Sequence, residues 1–513
     1  MKSILVYMVQ NLKKNQITYI KSFNIYIIIV IYTLSIFYSN GFHHPDEHFQ
    51  LIEFAGLKAG WNTGYDLAWE YDSQIRSSLQ PYIALCIFYF FSLFNLNNPY
   101  VLAMILRGIT AILSVFSISF FIRCFRPTIE RRFYTVFSFL SFVLWFLPSI
   151  NVRFSSEVWA GLCLLVSVGL IQLNRHTNIY FFLIGVLFGL SFEFRFQMGL
   201  CVTGLLLWLL LIKKIRFRDL FFVLGGLFTI VFLCTLLDTI YYGEFVFAPY
   251  NYFKVDLIDN VVNFYGLEPW YYYIQKIVTA PTLIIGISIL FSLIYLLFYD
   301  YKNIILWCIL PYLVIHSFIG HKEIRYFFPI INFAPILLIW TYQRIIYKIK
   351  KRYFQVMFHS FIFAVIIVNA GGLFMIFKPA GSGAVNLAEY IQKTYYKGNP
   401  IDIYSTYYGP YSIGNAKGWI QRFYMDDEVN LHFIDTEFLN DIPDNAIVTI
   451  PKGYFHEREL LETSGYKIEH ESIPTWMSFF NKLYKVYDEN SVLLLYTPNP
   501  FITDYEKISY ILP

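Results

Sequence analysis

The chain alternates between long apolar runs and short polar segments from its first helix to about residue 378. A helix needs about 20 mostly apolar residues to cross the hydrocarbon core of a bilayer, and these runs approach that length. They occupy residues 23–39, 81–96, 100–121, 133–147, 158–173, 179–192, 198–212, 220–241, 277–299, 304–319, 327–342 and 354–377. The pattern predicts an all-α polytopic membrane protein.

The orientation of these helices follows from the basic residues. Lysine and arginine cluster near residues 13–21, 123–132, 213–218 and 344–352. Short cytoplasmic loops accumulate these residues, so we expect the clusters on the inner face. The first loop, 40–80, and the larger loop, 243–276, then lie on the outer face, as do segments 148–157, 193–197 and 320–326.

The run at 81–96 begins and ends on the outer side in this scheme, so it makes no net crossing. We expect it to be a re-entrant or interfacial helix, which leaves about eleven transmembrane helices. Beyond about residue 380 the sequence becomes mixed and polar, with a helical stretch at 384–393 and β-rich runs at 445–450 and 491–496. We therefore expect a transmembrane domain at 1–378 and a small extramembrane α/β domain at 379–513.

The composition agrees with a membrane protein. Hydrophobic residues make up 57% of the chain and charged residues 14%, against roughly 25% charged in soluble domains. The formal net charge of +4 is small and dispersed, which argues against a nucleic-acid partner. The six cysteines lie in or beside apolar runs without CxxC spacing, so they predict neither a disulfide framework nor a zinc site.

The most polar stretch of the first outer loop is GFHHPDEHFQ, residues 41–50. Asp46 and Glu47 follow a proline, a residue that favours the first turn of a helix, where carboxylates also suit the helix dipole. His44 and His48 would share a face of that helix, as metal-binding histidine pairs do. The stretch is therefore a metal site, an acid/base cluster or a solvated helix start.

The larger outer loop is rich in aromatic residues. Tyr250, Tyr265 and Trp270 lie in it, with Glu268 two positions before the tryptophan. Aromatic faces stack on sugar rings, so these residues are candidates for binding a sugar acceptor. An aromatic belt at the membrane interface is the alternative.

A second group of charged residues precedes an apolar run. His321, Lys322 and Arg325 lie in GHKEIRYFFP, residues 320–329. Cations on the outer face oppose the positive-inside bias, which indicates a bound anion such as a lipid-linked phosphate. Snorkelling of basic side chains at a helix end is the alternative.

Arg195 adds another cation on the same face. Its alternative role is structural pairing with a carboxylate, either Glu193 or Glu157.

Five stretches, in order along the chain, resemble the motifs of the glycosyltransferase family 22 mannosyltransferases. They are HPDEHFQ (44–50), IRSSLQP (75–81), DTIYYGEFVFAPYNYFK (238–254), NFYGLEPWYYY (263–273) and HKEIRYFFP (321–329). The first is most similar to the glycosylphosphatidylinositol (GPI) mannosyltransferases that add the third and fourth mannoses. The family's usual His-Pro-Trp-His-Trp is replaced here by EPWYYY.

The resemblance implies a membrane glycosyltransferase of the GT-C fold that inverts the configuration at the transferred mannose. The donor would be dolichyl- or polyprenyl-phosphate mannose, and the acceptor a lipid-linked glycan, with an α-1,2 linkage in GPI-type assembly. Asp46 would be the general base and Glu47 its partner. Arg325, Lys322 and His321, with Arg76 and Arg195 as further candidates, would bind the donor phosphate.

Such a reaction calls for no nucleotide, and a metal ion is not favoured, although a divalent cofactor is the alternative. The partners would be the lipid donor, the lipid-linked acceptor and membrane lipid. The active site would face the lumen of the endoplasmic reticulum in a eukaryote, or the outside of the inner membrane in a bacterium.

Two other functions remain open at this point. A bacterial relative would transfer a polyprenyl-phosphate-linked sugar to a surface glycan. A transporter or flippase would place ionisable residues in the middle of the membrane, whereas here they gather at one face.

Overall fold

The computed structural model describes residues 22–346, 351–396, 398, 400–414, 419–425, 428–434, 442–443 and 446–498. The chain forms two compact units, each built from separate stretches. The first, the helical unit, comprises Met1–Phe37, Ser73–Gln80 and Leu106–Phe377. The second, the mixed unit, comprises Tyr38–Asp72, Pro81–Ile105 and Lys378–Pro513, so it joins most of the predicted first outer loop to the C-terminal part.

Nearly all of the predicted apolar runs form helices. The longer ones are Ser22–Tyr38, Leu79–Ser92, Pro99–Phe125, Tyr134–Val143, Ser156–Leu173, Asn178–Phe194, Gly199–Leu207, Phe217–Tyr242, Tyr272–Thr279, Leu283–Tyr299, Ile304–Phe318, Ala334–Ile346 and Arg352–Gly372. Two π-helical segments, Trp208–Ile212 and Phe253–Ile258, also occur. The buried core of the helical unit is formed by aliphatic and aromatic side chains of these helices.

Four helical stretches within the described ranges are long and apolar enough to cross a membrane. They are Pro99–Thr128, Ser156–Leu173, Phe217–Tyr242 and Arg352–Phe377. The pair Leu283–Tyr299 and Ile304–Phe318, bent by 116°, would add a fifth if it made one span. These helices support a membrane protein, while the count of about eleven spans stays a prediction.

Helix Leu79–Ser92 has 14 residues. At 1.5 Å per residue such a helix is about 21 Å long, shorter than the hydrocarbon core of roughly 30 Å. Helix Asn178–Phe194, which the pattern predicts to cross, has 17 residues and is also shorter than that core, so the re-entrant or interfacial placement of Leu79–Ser92 stays a prediction.

Glycines allow helices Asn178–Phe194 and Phe217–Tyr242 to pack backbone against backbone. A Cβ on Gly185 would lie 1.9 Å from the carbonyl oxygen of Val223, and one on Gly226 would lie 2.1 Å from that of Phe182. A Cβ on Gly189 would lie 2.7 Å from the Cβ of Ile230 and 2.9 Å from the carbonyl oxygen of Leu227, so the contacts advance in the same direction along both helices. The helices are therefore parallel and end on the same side, an arrangement that small residues four apart commonly permit.

The mixed unit contains a five-stranded sheet. Across the sheet the strands are Val429–Phe433, Ile401–Ser405, Ile447–Pro451, Leu493–Pro498 and Tyr466–Glu471. The first three are parallel, and each remaining neighbour is antiparallel. The predicted helix at 384–393 is present as Ala384–Tyr395, and the predicted β-rich runs coincide with Ile447–Pro451 and Leu493–Pro498.

The close approach of helices Asn178–Phe194 and Phe217–Tyr242 predicts that Gly226→Ala destabilises the protein. The added methyl group would force a backbone shift, which costs about 1–3 kcal/mol in a packed interior. Gly225→Ala is the matched control, because its Cβ would meet no atom within 4 Å. Thermal unfolding in detergent, followed by size-exclusion chromatography, measures both. Equal midpoints for the two variants would contradict the proposed backbone contact.

Candidate active site

In the mixed unit, the predicted acidic turn forms a helix of four residues, Asp46–Phe49, that begins directly after Pro45. The side chain of Asp46 is 17% exposed, whereas Glu47 is buried. An oxygen of Glu47 accepts a hydrogen bond from the backbone amide of His43 at 3.4 Å. Asp46 is thus the more accessible carboxylate, and Glu47 fixes the loop that leads into the helix.

The two histidines beside the turn have separate partners. Nδ1 of His44 accepts the backbone amide hydrogen of Asp46 at 3.2 Å. Nε2 of His48 lies 2.7 Å from Oε1 of Glu53. Within the described ranges, no group of three or more His, Cys, Asp or Glu residues is arranged to hold a metal ion. These contacts hold both histidine rings in place within the local structure.

In the helical unit, one buried carboxylate binds two arginines. Oε1 of Glu157 lies 3.0 Å from Nη1 of Arg195 and 3.3 Å from Nη1 of Arg325. Glu157 lies in the first turn of helix Ser156–Leu173, and Arg195 follows the end of helix Asn178–Phe194. Because all three side chains are at least nine-tenths buried, the carboxylate holds the two guanidinium groups together in a low-dielectric site.

A second carboxylate joins Arg325 to a histidine. Glu323 accepts hydrogen bonds from Nε and Nη2 of Arg325, and its Oε1 lies 2.7 Å from Nε2 of His321. Nδ1 of His321 faces the carbonyl oxygen of Gly266 at 3.2 Å. Both ring nitrogens therefore face acceptors, and the hydrogen bond to Glu323 raises the pKa of His321.

Lys322 lies beside these groups but has other contacts. Its Nζ donates to the carbonyl oxygens of Glu268 at 2.7 Å, Ile319 at 2.5 Å and Gly320 at 3.3 Å. An ammonium group has three N–H donors, so these carbonyls occupy all of them. Burial lowers the pKa of Lys322. Lys322 therefore fastens the large outer loop to residues 319–322 and has no donor left for a phosphate in this arrangement.

Arg76 joins the arginine cluster through aromatic rings. Its Cζ lies 5.9 Å from the ring centre of Tyr252. Burial raises the pKa of Tyr252, and the nearby positive charges of Arg195 and Arg76 counteract that rise. The Cζ atoms of Arg195 and Arg325 lie 5.3 Å and 5.7 Å from the ring centre of Tyr326. Three predicted phosphate ligands are thus gathered around two tyrosines.

The backbone around Arg76 is tied to helix Phe217–Tyr242. Oδ1 of Asp238 accepts hydrogen bonds from the amide and the hydroxyl of Ser78, both at 2.7 Å. The hydroxyl of Tyr242 donates to the carbonyl oxygen of Arg76 at 2.9 Å. These bonds place Arg76 at the end of that helix.

The predicted sugar-binding residues lie on the exposed surface of the large outer loop. Tyr250, Tyr265 and Trp270 are 56%, 54% and 64% exposed, and Glu268 is exposed too. The ring of Tyr265 meets that of His321 edge to face at 6.2 Å. Exposed aromatic faces fit sugar stacking and an interfacial belt equally well.

Sequence reasoning missed Tyr252 and Tyr326, and it left two partners open for Arg195. Tyr326 directly follows Arg325 in the fifth motif, and Tyr252 lies in the third. Their positions inside motifs were a signal, but aromatic residues make up 21% of the chain and hide individual ones. The structure selects Glu157 as the partner of Arg195.

The model of the Alg9-like mannosyltransferase family matches residues 24–405. The chain belongs to this family. The match confirms the resemblance read from the five motifs, and with it the prediction that the chain is a glycosyltransferase. All the predicted site residues lie within the matched range.

Individual relatives of this family member are distant. The chain is 26% identical over 325 residues to GPI mannosyltransferase 3 of Drosophila melanogaster, covering 60% of this chain and 53% of that protein. It is 24% identical over 327 residues to human GPI alpha-1,2-mannosyltransferase 3, covering 61% and 56%. The match to these curated relatives thus spans little more than half of their length.

One solved structure supports the fold. The crystal structure of ArnT from Cupriavidus metallidurans bound to undecaprenyl phosphate matches with a TM-score of 0.51 at 11% identity. The alignment covers 92% of this chain and 97% of ArnT. This likeness confirms the GT-C fold predicted from the motifs.

The contacts of His321 predict a pH-dependent attachment of the large outer loop. The raised pKa means that this stabilisation is complete below the unfolded value of about 6.5 and is lost as pH rises through the folded pKa. We expect amides 264–270 to exchange hydrogen more slowly in the natural protein than in His321→Ala at low pH. The difference between the two rates should become smaller as pH rises, because a neutral imidazole keeps only one N–H donor for the two acceptors. A ratio independent of pH would contradict the charged tether.

Proposed function

We propose that this chain is an inverting α-mannosyltransferase that takes mannose from a polyprenyl- or dolichyl-phosphate donor and adds it to a lipid-linked glycan. The observation that carries the proposal is the buried pair of Arg195 and Arg325, which Glu157 holds together beside Tyr326, with the partly buried Arg76 over the ring of Tyr252. Membership in the mannosyltransferase family supports the sugar. The lipid phosphate bound to ArnT supports the kind of donor.

The arginines would stabilise the leaving phosphate. When the bond between the sugar carbon and the phosphate oxygen breaks, the lipid phosphate gains a second negative charge. Preorganised guanidinium groups in a site with little water stabilise such a charge strongly. Glu157 keeps Arg195 and Arg325 side by side. Protonated His321 would offset the negative charge of Glu323, so that this carboxylate neutralises less of the charge of Arg325. Lys322 contributes indirectly, by holding the loop.

Asp46 would act as the general base. The acceptor hydroxyl loses its proton to this carboxylate as its oxygen bonds to the sugar carbon from the face opposite the phosphate. A single displacement of this kind turns a β-linked donor into an α-linked product. The partial exposure of Asp46 and the burial of Glu47 support this division of roles.

The acceptor would be a lipid-linked glycan of GPI-type assembly, with Trp270, Tyr265, Tyr250 and Glu268 contacting its sugars. The names of the relatives, GPI mannosyltransferase 3 and GPI alpha-1,2-mannosyltransferase 3, support this acceptor and the α-1,2 linkage. The active site would face the lumen of the endoplasmic reticulum in a eukaryote, or the outside of the inner membrane in a bacterium. Neither the bacterial surface-glycan enzyme nor the transporter gains support from these relatives.

Asp46→Asn is expected to lower the rate of mannose transfer by about 100-fold or more, since loss of a general base typically costs that much. Membranes supplied with lipid-phosphate mannose and a lipid-linked glycan, with mass detection of the product, provide the assay. Asp72→Asn, at an exposed position of the first outer loop, is the control and should retain activity. Full transfer by Asp46→Asn would remove Asp46 from this role.

Arg325→Ala is expected to lower kcat/KM for the donor by about 100-fold, because it removes a cation that stabilises the leaving group. The acceptor KM should change little. Arg344→Ala is the control, since this partly exposed arginine pairs with Asp300 and with neither Glu157 nor Glu323 in the described contacts. Unchanged donor kinetics in Arg325→Ala would indicate that this arginine has only a structural role.

A further inference from the structure

A short stretch of the C-terminal part, residues 419–424, packs against the first outer loop within the mixed unit. Its sequence is WIQRFY, and it is called the strap below. The strap lies beyond residue 405, where the match to the family ends. The strap contacts the segment that carries Asp46 and Glu47.

The central contact is the buried carboxylate of Glu53, which is 1% exposed. Oε1 of Glu53 accepts the backbone amide hydrogen of Phe423 at 3.0 Å and lies 2.7 Å from Nε2 of His48. Its Oε2 accepts a hydrogen bond from Asn62 at 3.0 Å. One carboxylate thereby connects the strap to the helix Asp46–Phe49.

Aromatic rings extend this connection. The His48 ring lies between Phe42, 5.4 Å away, and Tyr424 of the strap, 5.2 Å away, with nearly parallel planes on both sides. Phe49, the last residue of the helix, contacts Trp419 with ring centres 6.3 Å apart. The strap therefore touches two of the four residues of this helix.

The other end of the loop is also held by C-terminal residues. The amide of Ala380 donates to the carbonyl oxygen of Asn40 at 2.9 Å. The side chain of Asn40 donates to Asn386 at 3.0 Å and to Glu389 at 3.2 Å. Asp46 and Glu47 thus lie between two attachments to the C-terminal part.

A helix of four residues cannot form stably by itself, because nucleation fixes several dihedral angles for a single hydrogen bond. Its direction must therefore come from its neighbours. We propose that the strap and Glu53 position the helix Asp46–Phe49 for catalysis, so that residues beyond the family-matched range form a working part of the active site. This inference rests on the proposed function of Asp46.

Two substitutions test the positioning role. Trp419→Ala removes the ring that contacts Phe49 at a partly exposed site, and Glu53→Ala removes the carboxylate that joins strap and helix. We expect kcat for mannose transfer to fall about 10-fold to 100-fold in each, because small displacements of a catalytic group cost that much. The KM values for donor and acceptor should stay within about twofold, since substrate binding itself is untouched.

The controls use the same residue types in the same unit. Trp476→Ala changes an exposed tryptophan of helix Thr475–Tyr484, and Glu459→Ala changes an exposed glutamate of helix Phe455–Thr463. Both should retain kcat. Glu53→Gln should recover part of the activity lost in Glu53→Ala, because its amide oxygen still accepts from Phe423 and His48, whereas its amide nitrogen cannot accept from Asn62.

Hydrogen exchange of amides 43–50 provides a readout independent of activity. Faster exchange in Trp419→Ala, with an unchanged thermal midpoint, supports the strap. Unchanged exchange with normal kcat would overturn the inference, as would faster exchange without any loss of kcat. If the natural protein transferred no mannose, the proposed function would fail, while the exchange experiment would still decide whether the strap fixes this helix. A comparable fall in kcat in Trp476→Ala would also overturn the specific role.

Discussion

A buried carboxylate must be given hydrogen-bond donors or cations, because the cost of removing its charge from water is large. This requirement organises both units of the protein. Glu157 satisfies it with Arg195 and Arg325 in the helical unit. Glu53 satisfies it with His48, Asn62 and the backbone of Phe423 in the mixed unit. Arg325 and Phe423 come from distant parts of the sequence, so each carboxylate fixes a long-range contact as well as its nearer partners.

The arrangement of the arginines depends further on how two helices pack. Helices Asn178–Phe194 and Phe217–Tyr242 are parallel and approach closely at their glycines, so they end on the same side. Arg195 follows the first helix, and Arg76 is tied to the end of the second through Asp238 and Tyr242. The backbone contact between these helices therefore brings the helix ends that carry Arg195 and Arg76 to the same side of the unit.

The large outer loop adds groups of a different kind. Its backbone is fastened by Lys322 and His321 near Gly266 and Glu268, while its aromatic side chains remain exposed. A loop that is fixed at its base and exposed at its surface suits a role in contacting a glycan or a membrane surface. The charged residues of motif five thus divide their roles, with Arg325 in the arginine cluster and Lys322 in loop attachment.

The sequence by itself determined that the chain is a mainly helical membrane protein, that a helix begins after Pro45, and which family the chain belongs to. Apolar runs must be helical in lipid, proline favours the first turn of a helix, and the five motifs are local strings. It did not determine which carboxylate pairs with Arg195: Glu193 is two residues away, yet Glu157 is the partner. Nor did it determine that carbonyl oxygens accept all three hydrogen bonds of the Lys322 ammonium group, or that residues 419–424 pack against the helix that carries Asp46. Such pairings depend on side chains brought together by packing over long separations, and only the tertiary structure decides them.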